Sequence, residues 1–146
     1  MISKRAFSVK CYVGELNVTF HKAFFNQLTS NPIILKGASI QRYYYTLQMT
    51  QGQIEYLDET AYLTKFGNSE KAKHHKFERI AMQGMTGAND KLRIVMSIVP
   101  AGYYLGNSCN YILPQENIAT KALLAILNSK PINWFFRCFS TNSNVN

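Results

Sequence analysis

Residues 83–93, Gln83-Gly84-Met85-Thr86-Gly87-Ala88-Asn89-Asp90-Lys91-Leu92-Arg93, gather the side chains that recognise base edges in nucleic acids. Gln83 and Asn89 match the donor–acceptor pair of adenine. Lys91 and Arg93 match the acceptors of guanine, Asp90 the amine of cytosine, and Thr86 the methyl of thymine. Gly84 and Gly87 would allow close backbone approach. The same residue types build ordinary hairpin loops, so composition alone leaves both readings open. A second set, Lys36, Arg42 and Tyr43, has the chemistry of phosphate and sugar contacts, which set register without reading sequence. Tyr43, Tyr44 and Tyr45 on a strand would alternate faces, so at least one is expected in the core. A third set, residues 71–79, holds Lys71, Lys73, Lys76 and Arg79 with His74 and His75 between them. It reads as a solvated loop or as a phosphate clamp to which the histidines add charge at mildly acidic pH. A metal site at His74 and His75 is disfavoured, because neighbours on a strand point apart and no third ligand is evident.

No catalytic constellation is complete. Gly84, Gly87, Gly102 and Gly106 form neither a dinucleotide fingerprint nor a phosphate-binding loop. Asp58 and Glu59 lack the spaced lysine of a nuclease site, and Cys109 has no triad partners. The expected catalytic set is empty, and so is the expected metal set.

The composition fits a binding role. The chain has 146 residues, enough for one domain with a full core. Apolar residues make up 47% and charged residues 16%, which excludes a disordered chain. Sixteen Lys and Arg oppose eight Asp and Glu, a net charge of +8 that suits a polyanion partner. Cys11, Cys109 and Cys138 are odd in number and far apart, which reads as a reduced, intracellular chain. No apolar run approaches the ~20 residues that span a membrane, and the N-terminus lacks a signal-peptide pattern.

The elements that must position these residues follow from periodicity. Residues 7–13 alternate as a strand with Phe7, Val9, Cys11 and Val13 on one face. Asn17 or Thr19 is placed to cap a short helix carrying Phe20, Phe24, Phe25 and Leu28. Strands are expected at 32–36, at the tyrosine-rich 40–47, and at 54–57, the last pairing with 40–47 across Gln51-Gly52. A polar loop over 67–76 precedes strands at 77–83, 92–99 and 109–113. Two apolar helices close the chain over 119–139, broken at Asn128-Ser129-Lys130-Pro131, with Pro131 in the first turn of the second. Ala119, Ala122, Leu123, Ile126 and Leu127 are expected on the buried face of one helix. Ile132, Phe135, Phe136 and Phe139 are expected on that of the other. Strands around two separate helical regions, without β-α-β alternation, make the fold α+β: a mixed, mostly antiparallel twisted sheet packed on a C-terminal helical pair.

The segment Leu123-Leu124-Ala125-Ile126-Leu127-Asn128-Ser129-Lys130 with its aromatic helix resembles the TaqI-like C-terminal specificity (target-recognition) domain of DNA adenine methyltransferases in type II restriction–modification systems. Residues 34–43 (Ile34-Leu35-Lys36-Gly37-Ala38-Ser39-Ile40-Gln41-Arg42-Tyr43) resemble that family's opening signature, with Ala38 where a polar residue is common. Residues 79–83 look like its central strand, 107–112 like the strand before the end helices, and 140–144 like the Asn-rich turn after them. Asn31-Pro32-Ile33-Ile34 departs from the Asn-Pro-Pro-aromatic motif of adenine methyltransferases, having Ile34 where the stacking aromatic would stand.

The resemblance implies a module that recognises double-stranded DNA and does no chemistry. Gln83, Thr86, Asn89, Asp90, Lys91 and Arg93 would read bases. Lys36, Arg42, Tyr43, Lys71, Lys73 and Lys76 would hold phosphates. It implies a single target-recognition domain over 1–146, excised from a larger bacterial or archaeal, cytoplasmic methyltransferase or restriction enzyme. S-adenosylmethionine would belong to a separate N-terminal methyltransferase domain, which would flip the target adenine into its own pocket. Type I specificity subunits use related domains, and the sequence does not exclude that setting. Two other classes stay open: a basic RNA-binding module whose exposed aromatics stack on unpaired bases, and a protein-interaction domain with an exposed apolar patch. The tyrosines at 43–45 and 103–104 discriminate. RNA stacking needs several exposed on one face, whereas duplex recognition predicts mostly buried rings.

Overall fold

The computed structural model describes residues 9–48, 52–87 and 89–140. Phe7, Gln51, Ala88 and the Asn-rich turn at 141–144 lie outside them.

Two four-stranded sheets form, where one was expected. The first is antiparallel throughout, in the order β1 (Cys11–Val13), β8 (Cys109–Ile112), β5 (Arg79–Gln83), β6 (Met96–Val99). The second runs β2 (Phe25–Asn26), β4 (Glu55–Leu57), β3 (Ile33–Leu35), β7 (Tyr104–Leu105), with β3 and β7 parallel. The α+β class holds, with the helical pair on one face of the first sheet.

Strand β5 explains the layering. Its side chains alternate between two apolar environments. Ile80 and Met82 pack with Met96 and with Leu123 and Leu124 of helix α2 (Thr120–Leu127). Ala81 faces Leu35, Val99, Leu105 and Tyr111, between the sheets. A third cluster, including Leu16, Leu57, Tyr62 and Tyr104, lies under helix α1 (Glu59–Phe66) and the 3-10 helix Lys71–Lys76. The sheets are joined where the chain leaves β1. The Gly14 N–H donates to the Cys109 carbonyl (2.8 Å) and the Leu16 N–H to the Leu105 carbonyl (3.0 Å). A Cβ at Gly14 would stand 2.0 Å from the Gly106 carbonyl oxygen, so only glycine permits this crossing.

Several expectations are corrected. The helix expected after Asn17 is a turn followed by the 3-10 helix Lys22–Phe24, because Phe25 and Asn26 are drawn into β2 by pairing with Leu57 and Tyr56. Asn17 Oδ1 still caps locally, accepting from the N–H groups of Thr19 and Phe20. Residues 40–47 are no strand. Ile40 and Tyr45 make an isolated bridge, and between them Tyr43 adopts φ +75°. Residues 54–57 do form a strand, but it pairs with β2 and β3. Helix α1 occupies ground with no predicted element. Asp58 caps it by accepting from the Ala61 N–H (3.0 Å), and Tyr62, Leu63 and Phe66 supply its apolar face.

Helix α3 (Lys130–Phe139) starts as expected, with Ser129 as N-cap and Pro131 in the first turn. Its buried face differs. Ile132, Asn133 and Phe136 face inward, while Trp134, Phe135 and Phe139 are 68%, 58% and 74% exposed. Ala122 and Ile126 of α2 also face out, and Leu124 faces in. Replacing Phe135 and Phe139 together by Ala should therefore cost less than about 1 kcal/mol. Leu124→Ala, which opens a core cavity, should cost about 2–5 kcal/mol. Urea denaturation of the two variants checks the ordering.

Candidate nucleic-acid interface

The C-terminal end of β5 is where the candidate residues converge. Gln83 ends the strand and its Nε2 donates to the Ile40 carbonyl (2.6 Å). The Gly84 N–H donates to the Ser108 carbonyl (2.8 Å), and the Gly37 N–H to Ser108 Oγ (2.9 Å). The Tyr43 N–H donates to the Met96 carbonyl (2.8 Å), and Arg42 Nη2 to the Asn128 carbonyl between α2 and α3 (2.7 Å). The 36–46 segment, the loop after β5 and the turn before β8 are thus stitched into one surface. A cleft of about 420 Å³ opens beside it, lined by Val13, Val18, Gly84, Met85, Asn107 and Ser108 among others.

Within the 83–93 segment the side chains divide by burial. Asn89, Asp90 and Lys91 are exposed on a turn closed by Asp90 Oδ2, which accepts from the Gly87 N–H (2.8 Å). Thr86 and Arg93 are buried. Arg93 Nε donates to Thr86 Oγ1 (3.0 Å), its Nη1 reaches the Ser140 carbonyl (3.4 Å), and its guanidinium lies 5.5 Å from the Phe136 ring centre. The guanidinium and the Thr86 hydroxyl are therefore turned into the fold. Gln83 is partly buried, its amide engaged with Ile40.

Two asparagines that sequence reasoning passed over support this loop. Strand β6 is an edge of its sheet, so its outer backbone groups need partners. Asn128, buried, accepts from the Met96 N–H (3.1 Å) and donates to the Met96 carbonyl (2.9 Å). Asn133 accepts from the N–H groups of Arg93 (2.7 Å) and Ile94 (3.2 Å), and donates to the Lys91 carbonyl (2.8 Å). The helical pair thus acts as a neighbouring strand made of side-chain amides. The one available signal was an Asn on the inward stripe of each apolar segment.

Of the phosphate candidates, Lys36 is partly exposed and pairs with Glu55 (2.5 Å). Arg42 is half-buried, and Tyr43 is 50% exposed with the Arg42 guanidinium 5.0 Å from its ring centre. Lys71, Lys73 and Lys76 are not gathered with them. Their 3-10 helix leads into β5 at Arg79, the end opposite Gln83, and a five-residue strand puts about 14 Å between the ends. Lys73 and Lys76 are exposed, whereas burial pulls the Lys71 ammonium below the ordinary lysine value. The histidines between them belong to the interior. His74 Nδ1 lies 2.8 Å from the Tyr111 hydroxyl, and burial lowers its pKa, so its neutral form is favoured. His75 stacks on Tyr104 and donates from Nδ1 to the Ala72 carbonyl (2.8 Å). The expected extra charge from this pair is thereby corrected, at least for His74, since charging that ring would place an ion in the core. Arg79 is fully buried and paired with Glu15.

Of the five discriminating tyrosines, only Tyr104 is buried, and Tyr45 and Tyr103 are partly buried. Tyr45 and Tyr103 meet edge to face, and the Tyr104 hydroxyl donates to Glu59 Oε1 (2.8 Å). Tyr43 and Tyr44 are exposed. One buried ring, two partly buried and two exposed meet neither the mostly buried set of duplex recognition nor a stacking platform of several rings exposed on one face.

Residues 32–145 match the TaqI-like C-terminal specificity domain. The chain belongs to this family. No curated protein matches it. Membership gives this specificity domain a target-recognition role in restriction–modification systems. The matched region begins just before β3, so β1 and β2 precede it and yet complete both sheets. Among the described residues, no helix is long and apolar enough to cross a membrane, and no three His, Cys, Asp or Glu side chains gather as a metal set.

Proposed function

We propose that this specificity domain selects the site on double-stranded DNA for a restriction–modification adenine methyltransferase of the bacterial or archaeal cytoplasm, with or without an endonuclease activity. S-adenosylmethionine and the methyl-transfer chemistry belong to a companion methyltransferase domain, and no residue here is catalytic. The supporting observation is the convergence of the 36–43 segment and the exposed Asn89, Asp90 and Lys91 at one end of the first sheet, in a chain of net charge +8. Asn89, Asp90 and Lys91 are the side chains free of the interior there, and they reach base edges. Gln83, Thr86 and Arg93 hold the turn from beneath. Lys36 and Arg42 contact phosphates near the reading turn. Lys73 and Lys76, with Lys71 partly covered, form an outer contact further along the duplex.

Selection from a random pool of duplex DNA by this chain should enrich one short motif. If about five phosphates are neutralised, the log of the binding constant should fall against log salt with a slope near −4 to −5. Changing Lys71, Lys73 and Lys76 together to Ala should flatten that slope by about 2 units and leave the enriched motif unaltered. A slope near zero, or enrichment of single-stranded RNA over duplex in a mixed pool, would sink the reading.

A further inference from the structure

Tyr43 is the only non-glycine among the described residues with a positive φ, at +75°. An L-residue in this region crowds its Cβ against the backbone, and an aromatic side chain lacks the local hydrogen bonding that eases Asn or Asp there. The surroundings fix the conformation. The Tyr43 N–H is tied to Met96 on β6, the Gln41 N–H to the Tyr44 carbonyl (2.8 Å), and Arg42 to the α2–α3 corner. The Ile40–Tyr45 bridge closes the base of the bend. Yet the ring gains no core packing in return. It belongs to none of the three apolar clusters, is half exposed, and lies near the Arg42 guanidinium. A strained backbone held by several independent contacts, with its side chain turned outward, is characteristic of a site shaped by use and not by stability.

We propose that Tyr43 is a contact residue whose ring, preset by the left-handed backbone, lies face-on against a deoxyribose of the bound duplex. The ring is the working part and its hydroxyl is dispensable. This rests on the duplex-recognition reading above, and it replaces the phosphate contact first expected of Tyr43. The bend shares its end of the sheet with Gln83 and the 87–91 turn, so the ring meets the same stretch of duplex that the turn reads.

The test separates stability from binding. Glycine accepts a positive φ without strain, and Asn accepts it better than Tyr. Tyr43→Gly and Tyr43→Asn should therefore hold or raise the melting temperature while weakening binding of a fluorescein-labelled random-sequence DNA duplex at low salt by about tenfold. Tyr43→Phe should keep most of the affinity. Glycine and Asn variants that are at least as stable, bind more weakly, and are rescued by Phe bear the inference out. Equal affinity of wild type and Tyr43→Gly overturns it while leaving duplex recognition intact. A Tyr43→Phe variant as weak as Tyr43→Gly overturns the ring-face contact. A sharp fall in melting temperature for both Gly and Asn shows that the bend needs the ring for folding, and overturns it too. If wild type itself binds no duplex at any salt, the underlying reading fails and this inference falls with it.

Discussion

Arg79→Met should cost the domain about 3–5 kcal/mol, a large share of the roughly 5–15 kcal/mol that holds a domain of this size together. Arg79 and Glu15 are both fully buried and form an ion pair between β5 and the crossing after β1. Arg79 Nη2 also donates to the Tyr103 carbonyl (2.7 Å), and its guanidinium lies 4.7 Å from the Tyr111 ring centre. Glu15 Oε2 accepts from the Leu105 N–H (3.0 Å). The pair thus bonds the first sheet to β7 of the second. Removing the arginine strands a carboxylate in the core beside the Cys109 thiol, which burial already pushes up to about 12. Glu15→Leu combined with Arg79→Met removes both charges, so the double variant should be more stable than Arg79→Met alone. It should remain below wild type, because the Leu105 N–H and the Tyr103 carbonyl each lose a partner. Guanidinium denaturation of the three variants checks this. A single variant within about 1 kcal/mol of wild type would show that the pair is not a structural hub.

This pair also shows where the sequence stops being readable. Arg79 stood in a run of cations and looked like part of a phosphate clamp, while its partner lies 64 residues away, next to a glycine. Local periodicity located β5, β8, β3 and the helical pair, because alternation and the i, i+4 spacing are properties of neighbouring residues. It misplaced Phe135 and Phe139, since an apolar stripe says nothing about how much of a helix its neighbour covers. Asn133 and Asn128 occupy the buried stripe instead, and their role is visible only once β6 is known to be a sheet edge. Residues 40–47 carry three tyrosines with strand propensity, but a residue at φ +75° ends the alternation. Tertiary pairing likewise drew Phe25 and Asn26, within the short helix expected after Asn17, into β2. The candidate surface was legible as segments, 36–43 and 83–93, but not in which side chains face inward, because what packs beneath a polar loop decides that.

That division of roles sets the second large effect. Arg93→Ala should destabilise the domain by about 2–4 kcal/mol, through lost charge-assisted bonds and the lost contact of its guanidinium with the Phe136 ring. The loss should spread to recognition of every sequence alike, since the side chain joins Thr86, the start of the turn, to Ser140 at the end of α3. Lysine should not rescue it, because one ammonium cannot replace the planar fork. Asn89→Ala should behave oppositely. Its side chain is exposed, so stability should stay within about 0.5 kcal/mol of wild type. If it reads a base edge, discrimination at one position of the site should fall by about 1–3 kcal/mol, with other positions unaffected. Asp90→Ala should fall between these two, because its carboxylate also closes the turn through the Gly87 N–H. Binding measured across all single-base variants of the enriched site, beside thermal melts, resolves the roles. An Arg93→Ala domain that melts like wild type and relaxes a single base position would make the guanidinium the reader. Unaltered preference in the Asn89, Asp90 and Lys91 variants would reduce the 87–91 turn to an ordinary hairpin loop.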